Sequence, residues 1–239
     1  MRAVLVALFL ALAGCTVAVA PPPTGSGQLL RPDPVPDRFA PATAARNFTT
    51  VAQRVEPVAE QMCRERRPRA NCDFLIVVDD RPNLPPNAFQ TLDRNGRPII
   101  GVTLSLIADA RNQDEIAFIL GHEAGHHIAG HIPLMQQSAS QGAMLGGLVA
   151  ALGGLDQQGA DTFQRLGATV GARRYSKEFE LEADALGTVI AARAGFDPVR
   201  GAEFFNRIPD PGDQFLGSHP PNAERLRVVR ATAAQLGRL

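Results

Sequence analysis

The apolar positions change period several times along the chain, and each change marks an element. Phe48, Val51, Val55, Val58 and Met62 recur at helical spacing, the pattern of one buried helix face. Pro57 interrupts this run and is expected to kink or split the helix, because it lacks an N–H and crowds the preceding turn. Residues 73–79, D-F-L-I-V-V-D, form a short unbroken apolar run, as in a buried strand. Residues 87–103 predict a β-hairpin turning at Asp93-Arg94-Asn95-Gly96 and returning over 98–103. Asn112 then stands where an N-cap belongs, with Glu115 three residues on as a capping-box partner. Ile116, Ile119, Leu120, Ala124 and Ile128 give that helix its apolar stripe, and Pro133 is expected to stop it.

Residues 141–155, Q-G-A-M-L-G-G-L-V-A-A-L-G-G-L, are apolar but rich in glycine and too short to cross a bilayer. They predict a mobile loop with a short packed helix; the sharper alternative is a hydrophobic flap near a cleft or a lipid surface. A further strong helix is predicted over 176–194. Ser176 caps it, acids fill its first turns, and Gly195 and Pro198 end it. A basic helix from Asn222 closes the chain. With the strands ahead of most of the helices, the order is α+β: a small, mainly antiparallel sheet packed on two long helices.

The first residues follow a different logic. Arg2 and the apolar run 3–12 resemble a signal peptide over 1–14, and Leu12-Ala13-Gly14-Cys15 resembles a lipobox, in which the chain is cleaved before an acylated cysteine. A plain secretory signal is the alternative. Several acyl chains on Cys15 would hold the protein to membrane lipid. Thr16, in place of aspartate, favours the periplasmic face of the outer membrane of a two-membrane bacterium. Residues 15–45, with seven prolines and Gly25-Ser26-Gly27, read as a tether, disordered or extended. The folded domain is expected over 46–239.

The charge balance, 24 basic against 24 acidic residues, leaves no basic stripe and argues against a nucleic-acid partner. With Cys15 taken by lipid, Cys63 and Cys72 remain as a pair, expected to form a disulfide in an oxidising compartment, with free thiols as the alternative.

The candidate chemistry lies in I-L-G-H-E-A-G-H-H-I-A-G-H, residues 119–131, which hold four of the five histidines. His122 and His126 sit one helical turn apart and can grip one Zn²⁺, while Glu123 beside them can reach a metal-bound water. The longer signature with a third histidine fails, since Ala129 and Ile132 stand where it needs Gly and His. Turning the helix on about 100° per residue puts His127 and His131 off the ligand face, as packed or hydrogen-bonded structural residues. The third ligand must come from elsewhere. Glu178, Glu180, Glu182 and Asp184 compete on the 176–194 helix. Glu180 and Asp184 share a face with Gly187 and Ala191, whose small side chains permit close approach to another helix. Glu182 points away, toward solvent. Glu180 is therefore assigned as third ligand and Asp184 as a hydrogen-bond partner that fixes the tautomer of a ligand histidine.

The ordered set His122-Glu123-x-x-His126 and Glu180-Leu181-Glu182-Ala183-Asp184 resembles the HtpX-type gluzincin metallopeptidases. That family also holds the CAAX prenyl endopeptidases and the BepA-type periplasmic proteases. Asn87-Ala88-Phe89, Gly195-Phe196-Asp197-Pro198, Ser218-His219-Pro220-Pro221 and Glu224-Arg225 extend the match across residues 51–229. The resemblance implies a zincin-like fold, one zinc per chain on His122, His126 and Glu180, and Glu123 as catalytic base. The membrane-spanning helices of HtpX and the tetratricopeptide repeats of BepA are not expected. His219 either donates to the oxyanion of the tetrahedral intermediate or, as in the BepA-type relatives, takes the open metal position as a latch. Arg225 and Tyr175 are expected to line the site. The implied activity is endopeptidase cleavage of misfolded or unassembled envelope polypeptides, with outer-membrane assembly machinery as a possible partner. A strand edge over 87–90 or 99–103 would pair with the substrate backbone. The rival reading is a non-catalytic lipoprotein chaperone whose zinc site is plugged; a purely structural zinc is disfavoured because such sites are usually cysteine-rich.

Overall fold

A computed structural model of the chain describes residues 38–173, 176–210 and 220–237. Helix α1, Pro41–Arg66, buries Ala44, Phe48, Val51, Val55, Ala59 and Met62 along one side. It begins five residues before the expected domain start, so 41–45 belongs to the helix and not to a tether. Pro41 occupies the first turn, where its fixed φ favours the helix and its missing N–H costs nothing. Pro57 does not split α1. It faces solvent, where water can satisfy the carbonyl it leaves free.

Three strands follow: β1 Leu75–Asp79, β2 Ala88–Leu92 and β3 Pro98–Thr103, in the order β1-β3-β2. The expected hairpin is β2–β3, antiparallel, with Gly96 at φ +77° in its turn. β1 runs parallel to β3, so the sheet is mixed instead of mainly antiparallel. β3 is central and mostly buried, while β2 pairs only with β3 among the described residues. Gly101 of β3 leaves room for the Phe89 ring to lie across it.

Thr103 caps the short helix α2, Leu104–Asp109, and Asn112 Oδ1 caps α3, Gln113–Ala129, by accepting from Glu115 N at 2.9 Å. The Glu115 side chain takes up partners other than the Asn112 N–H expected of a capping box. It is buried, accepts from Arg111 N, and forms a two-pronged pair with Arg207 at 2.7 and 2.7 Å. Gly130, not Pro133, ends α3. At φ +76° it turns the chain into the left-handed region, and its N–H donates to the carbonyls of His126 and His127.

Pro133 lies in the first turn of α4, His131–Leu152, a helix that runs without a break through the glycine-rich stretch read above as a loop. Its glycines serve a seam. Gly142 and Gly146 meet Gly167, Gly171 and Phe163 on α5, Gln157–Arg173, so closely that a Cβ would strike the facing backbone. Close helix contact here replaces the chain mobility that glycine content suggests in isolation.

Helix α6, Ser176–Arg193, packs along α3. Gly195 at φ +83° turns it into α7, Pro198–Gly201, capped by Asp197; a 3-10 turn over Ala202–Asn206 follows, and α8, Asn222–Leu236, completes the domain. The core joins α1, β3, α3 and α6 through Val55, Ile100, Leu120 and Ile190. The α3–α6 contact is set by Gly121 and Gly187: a Cβ on Gly187 would lie 2.7 Å from His122 N. Gly187→Ala is therefore predicted to overpack this crossing and destabilise the fold by about 1–3 kcal/mol. Thermal unfolding should show a lower midpoint, and an unchanged midpoint would count against the crossing.

Candidate metal centre

Three elements far apart in sequence meet at the centre. α3 brings His122 and His126, one turn apart, with Glu123 next to the first; α6 brings Glu180 and Asp184; α8 brings Arg225. His122 Nε2 and His126 Nε2 stand 3.1 Å apart, and Glu180 approaches them at 3.5 and 3.3 Å respectively. One ligand atom from each of these residues lies within 4.8 Å of the others. Glu123 lines the same cleft, of about 620 Å³, together with Asn87, Phe89, Met135 and Phe204.

Each imidazole turns its second nitrogen outward to a fixed partner. His122 Nδ1 lies 2.9 Å from Asp184 Oδ1. Asp184 is fully buried and is gripped by Arg225, whose Nε and Nη2 each donate at 2.7 Å. The Arg225 guanidinium is itself held over the Phe205 ring at 4.0 Å. Burial opposes charge on His122, yet its bonds to Asp184 and Glu180 prevail and push its pKa up to about 10. Burial likewise opposes charge on Asp184, but Arg225 and then His122 hold its carboxyl below the usual range.

The donor chemistry fits a divalent metal. Two Nε2 atoms and a carboxylate converge, and partners on both Nδ1 atoms leave the Nε2 lone pairs inward. Two histidines and a glutamate are the protein ligands of catalytic zinc sites, in contrast to the closed, cysteine-rich sets of structural zinc.

His126 has the partner that sequence reasoning missed. Its Nδ1 lies 2.9 Å from Nδ1 of His131, whose Nε2 lies 3.2 Å from Glu182 Oε2. With His126 Nε2 free toward a metal, the proton order is His126 Nδ1–H to His131 and His131 Nε2–H to Glu182. His131 is 1% exposed and stacks on Phe179 at 4.2 Å. The wheel misplaced it because Gly130 breaks the helix before it, so a rotation counted through α3 does not apply. Glu182 keeps half of its side chain in solvent, as read above, but spends a carboxylate oxygen on His131. His127 is structural: its Nε2 meets Asn71 O at 2.8 Å and its ring meets the edge of Phe74. Cys63 and Cys72 stand at disulfide-bonding distance, with Cα atoms 5.6 Å apart. Cys15, Tyr175 and His219 lie outside the described residues.

A helix carrying H-E-x-x-H, crossed by a second helix that contributes a glutamate, beside a small sheet whose edge walls the cleft, defines a zincin-like metallopeptidase domain. The chain belongs to Peptidase family M48, whose model matches residues 45–233. The mitochondrial metalloendopeptidase OMA1 of Saccharomyces cerevisiae is 28% identical over 163 residues, which cover 63% of this chain and 44% of that protein. A Vibrio cholerae protein named as a beta-barrel assembly-enhancing protease is 27% identical over 181 residues, 67% of this chain and 37% of its own. OMA1 of Arabidopsis thaliana is 26% identical over 134 residues, 54% of this chain and 27% of its own. The chain thus spans less than half the length of these relatives.

Replacing His131 by Phe keeps the stack on Phe179 but removes the hydrogen bond to His126. His131→Phe is predicted to weaken divalent-metal affinity about 10–100-fold, read by competition with a chromophoric chelator. Wild-type affinity in this variant would show that His126 is oriented without it.

Proposed function

We propose that the protein is a zinc metalloendopeptidase anchored to the membrane through an acylated Cys15. It hydrolyses peptide bonds of misfolded or unassembled cell-envelope proteins at the periplasmic face of the outer membrane. The observation that carries the proposal is the convergence of His122 Nε2, His126 Nε2 and Glu180 beside Glu123 in an open cleft.

In this reading His122, His126 and Glu180 hold one Zn²⁺, which supplies Lewis-acid polarisation of the scissile carbonyl and a more acidic water. The Glu123 carboxylate takes the proton of the attacking water and passes it to the leaving amine. Asp184 and His131 keep the two imidazoles oriented, and Arg225 keeps Asp184 charged although it is buried. Edge strand β2, with Asn87 just before it, forms one wall of the cleft as far as Gln90 and is the segment on which an extended substrate backbone would align. Of the two strands considered for this role, β3 is internal. His219 is proposed as either an oxyanion donor or a reversible latch on the metal.

The envelope setting draws on three supports. The lipobox-like Leu12-Ala13-Gly14-Cys15 supports the acyl anchor. A Cys63–Cys72 disulfide would suit an oxidising compartment. The printed name of the Vibrio cholerae relative supports outer-membrane assembly machinery as a partner.

Glu123→Gln is predicted to retain one equivalent of zinc while casein cleavage falls by about 10²–10⁴-fold. Cleavage persisting in this variant would refute the mechanism. Stoichiometric zinc with no cleavage by the wild-type chain would favour the chaperone alternative.

A further inference from the structure

Beyond the first turns of α4, the α4–α5 hairpin packs mainly on itself and has much apolar surface to cover. α5 buries none of its residues, and α4 buries only His131 at its base and Gly146 and Ala150 in the seam. Met144, Leu145, Leu148, Val149, Leu152 and Leu155 are all exposed, Met144 at 75% and Leu152 at 81%. Phe163, Leu166 and Val170 of α5 are exposed as well.

These side chains share one face. At about 100° per residue, Leu145, Leu148, Val149 and Leu152 fall to one side of the Gly142–Gly146 seam. Phe163, Leu166 and Val170 fall to one side of the Gly167–Gly171 seam by the same count. The helices are antiparallel, so the two sides coincide. Asp161 and Arg165 fall on the opposite side of α5, Arg173 falls on the apolar side as the last residue of that helix, and α4 carries no Asp, Glu, Lys or Arg at all. The result is an amphipathic hairpin whose apolar face carries one charge, Arg173 at the end of α5, and whose two helices are locked together by close glycine contact. No helix among the described residues is long and apolar enough to cross a membrane.

We propose that this face lies on a phospholipid bilayer, with Leu145, Leu148, Val149 and Leu152 seated at the boundary between headgroups and acyl chains. An apolar face backed by polar residues is what such seating requires. The inference rests on the acyl-anchor reading for proximity. Roughly two dozen residues separate Cys15 from Arg38, so at about 3.3–3.6 Å each the tether reaches at most about 80 Å. Held that close, the hairpin meets lipid as an intramolecular event, at high effective concentration. The seating also has a consequence for the cleft. Ile132 and Met135, in the first turns of α4, line it, so a docked hairpin fixes the active-site mouth beside the membrane surface. The substrates favoured are then polypeptides that linger at that surface.

The test uses the full acylated protein in vesicles of phosphatidylethanolamine and phosphatidylglycerol. Leu148→Cys and Asp161→Cys each carry an environment-sensitive fluorophore. The Leu148→Cys label should shift to the blue and be quenched by nitroxide-bearing lipid, while the Asp161→Cys label should do neither. A solvent-exposed Leu148→Cys label, or an equal response from both labels, overturns the proposal. So does shielding that grows with protein concentration without lipid quenching, since a second copy would then cover the face. In a second variant, Leu148→Asp with Leu152→Asp, a label on Leu145→Cys should lose its lipid quenching while cleavage of a soluble peptide stays at the wild-type rate. Quenching that survives both substitutions contradicts the seating. The anchor is read separately, as lipid mass on Cys15. If that mass is absent, the anchor reading fails by itself, and quenching of the Leu148→Cys label by added vesicles still decides the hairpin.

Discussion

The contact between α3 and α6 is the constraint on which the site depends. Gly121 and Gly187 bring two helix backbones so near that a single methyl group would press on His122 N. At that spacing a short glutamate side chain on α6 reaches the imidazole pair on α3. Wider separation would leave Glu180 short of the histidines and Asp184 short of His122 Nδ1. The same approach buries Asp184 fully, which is costly for a carboxylate unless it is paired and hydrogen-bonded. Arg225 from α8 answers that cost with two donors at 2.7 Å, so a third helix is drawn into the centre. Removing one partner of such a buried pair is far more damaging than never having built it, which ties the position of α8 to the integrity of the site.

Two outward relays then fix the two imidazoles in different ways. His122 leans on Asp184, a buried carboxylate already committed to an arginine. His126 leans on His131, a neutral ring that passes the bond on to the half-exposed Glu182. One relay is anchored inside the fold and the other ends at solvent, on the side from which α4 departs. His131, which starts α4 and steadies His126, thus couples the α4–α5 hairpin to the metal centre.

Much of this was legible in the sequence wherever the information was local. The one-turn spacing of His122 and His126, the Asn112 cap, the β2–β3 hairpin and the small residues beside Glu180 each follow from period, capping or turn chemistry, and the structure shows each of these placements. What was not legible depends on partners distant in the chain. Glycines in α4 look like loop formers until Gly167 and Gly171 of α5 are placed against them. Glu115 looks like a capping-box residue until Arg207, from far along the chain, claims it. His131 looks remote from the ligands only while α3 is assumed to continue past Gly130. The parallel pairing of β1 with β3 leaves no trace in either strand's own pattern, since an apolar run reads alike in both orientations, and β1, expected to be buried, leaves Leu75 and Val78 exposed at the sheet's edge.

The central claim is that two helices pool two imidazoles and one carboxylate on a single metal ion. X-ray absorption at the zinc edge, on the metal-loaded full chain, addresses it most directly. The account predicts a first shell of two imidazole nitrogens plus oxygens at about 2.0–2.2 Å, with one oxygen lost or replaced by solvent in Glu180→Ala and weaker retention of the metal. A shell containing sulfur, or one unchanged in both composition and affinity when Glu180 is removed, would contradict it.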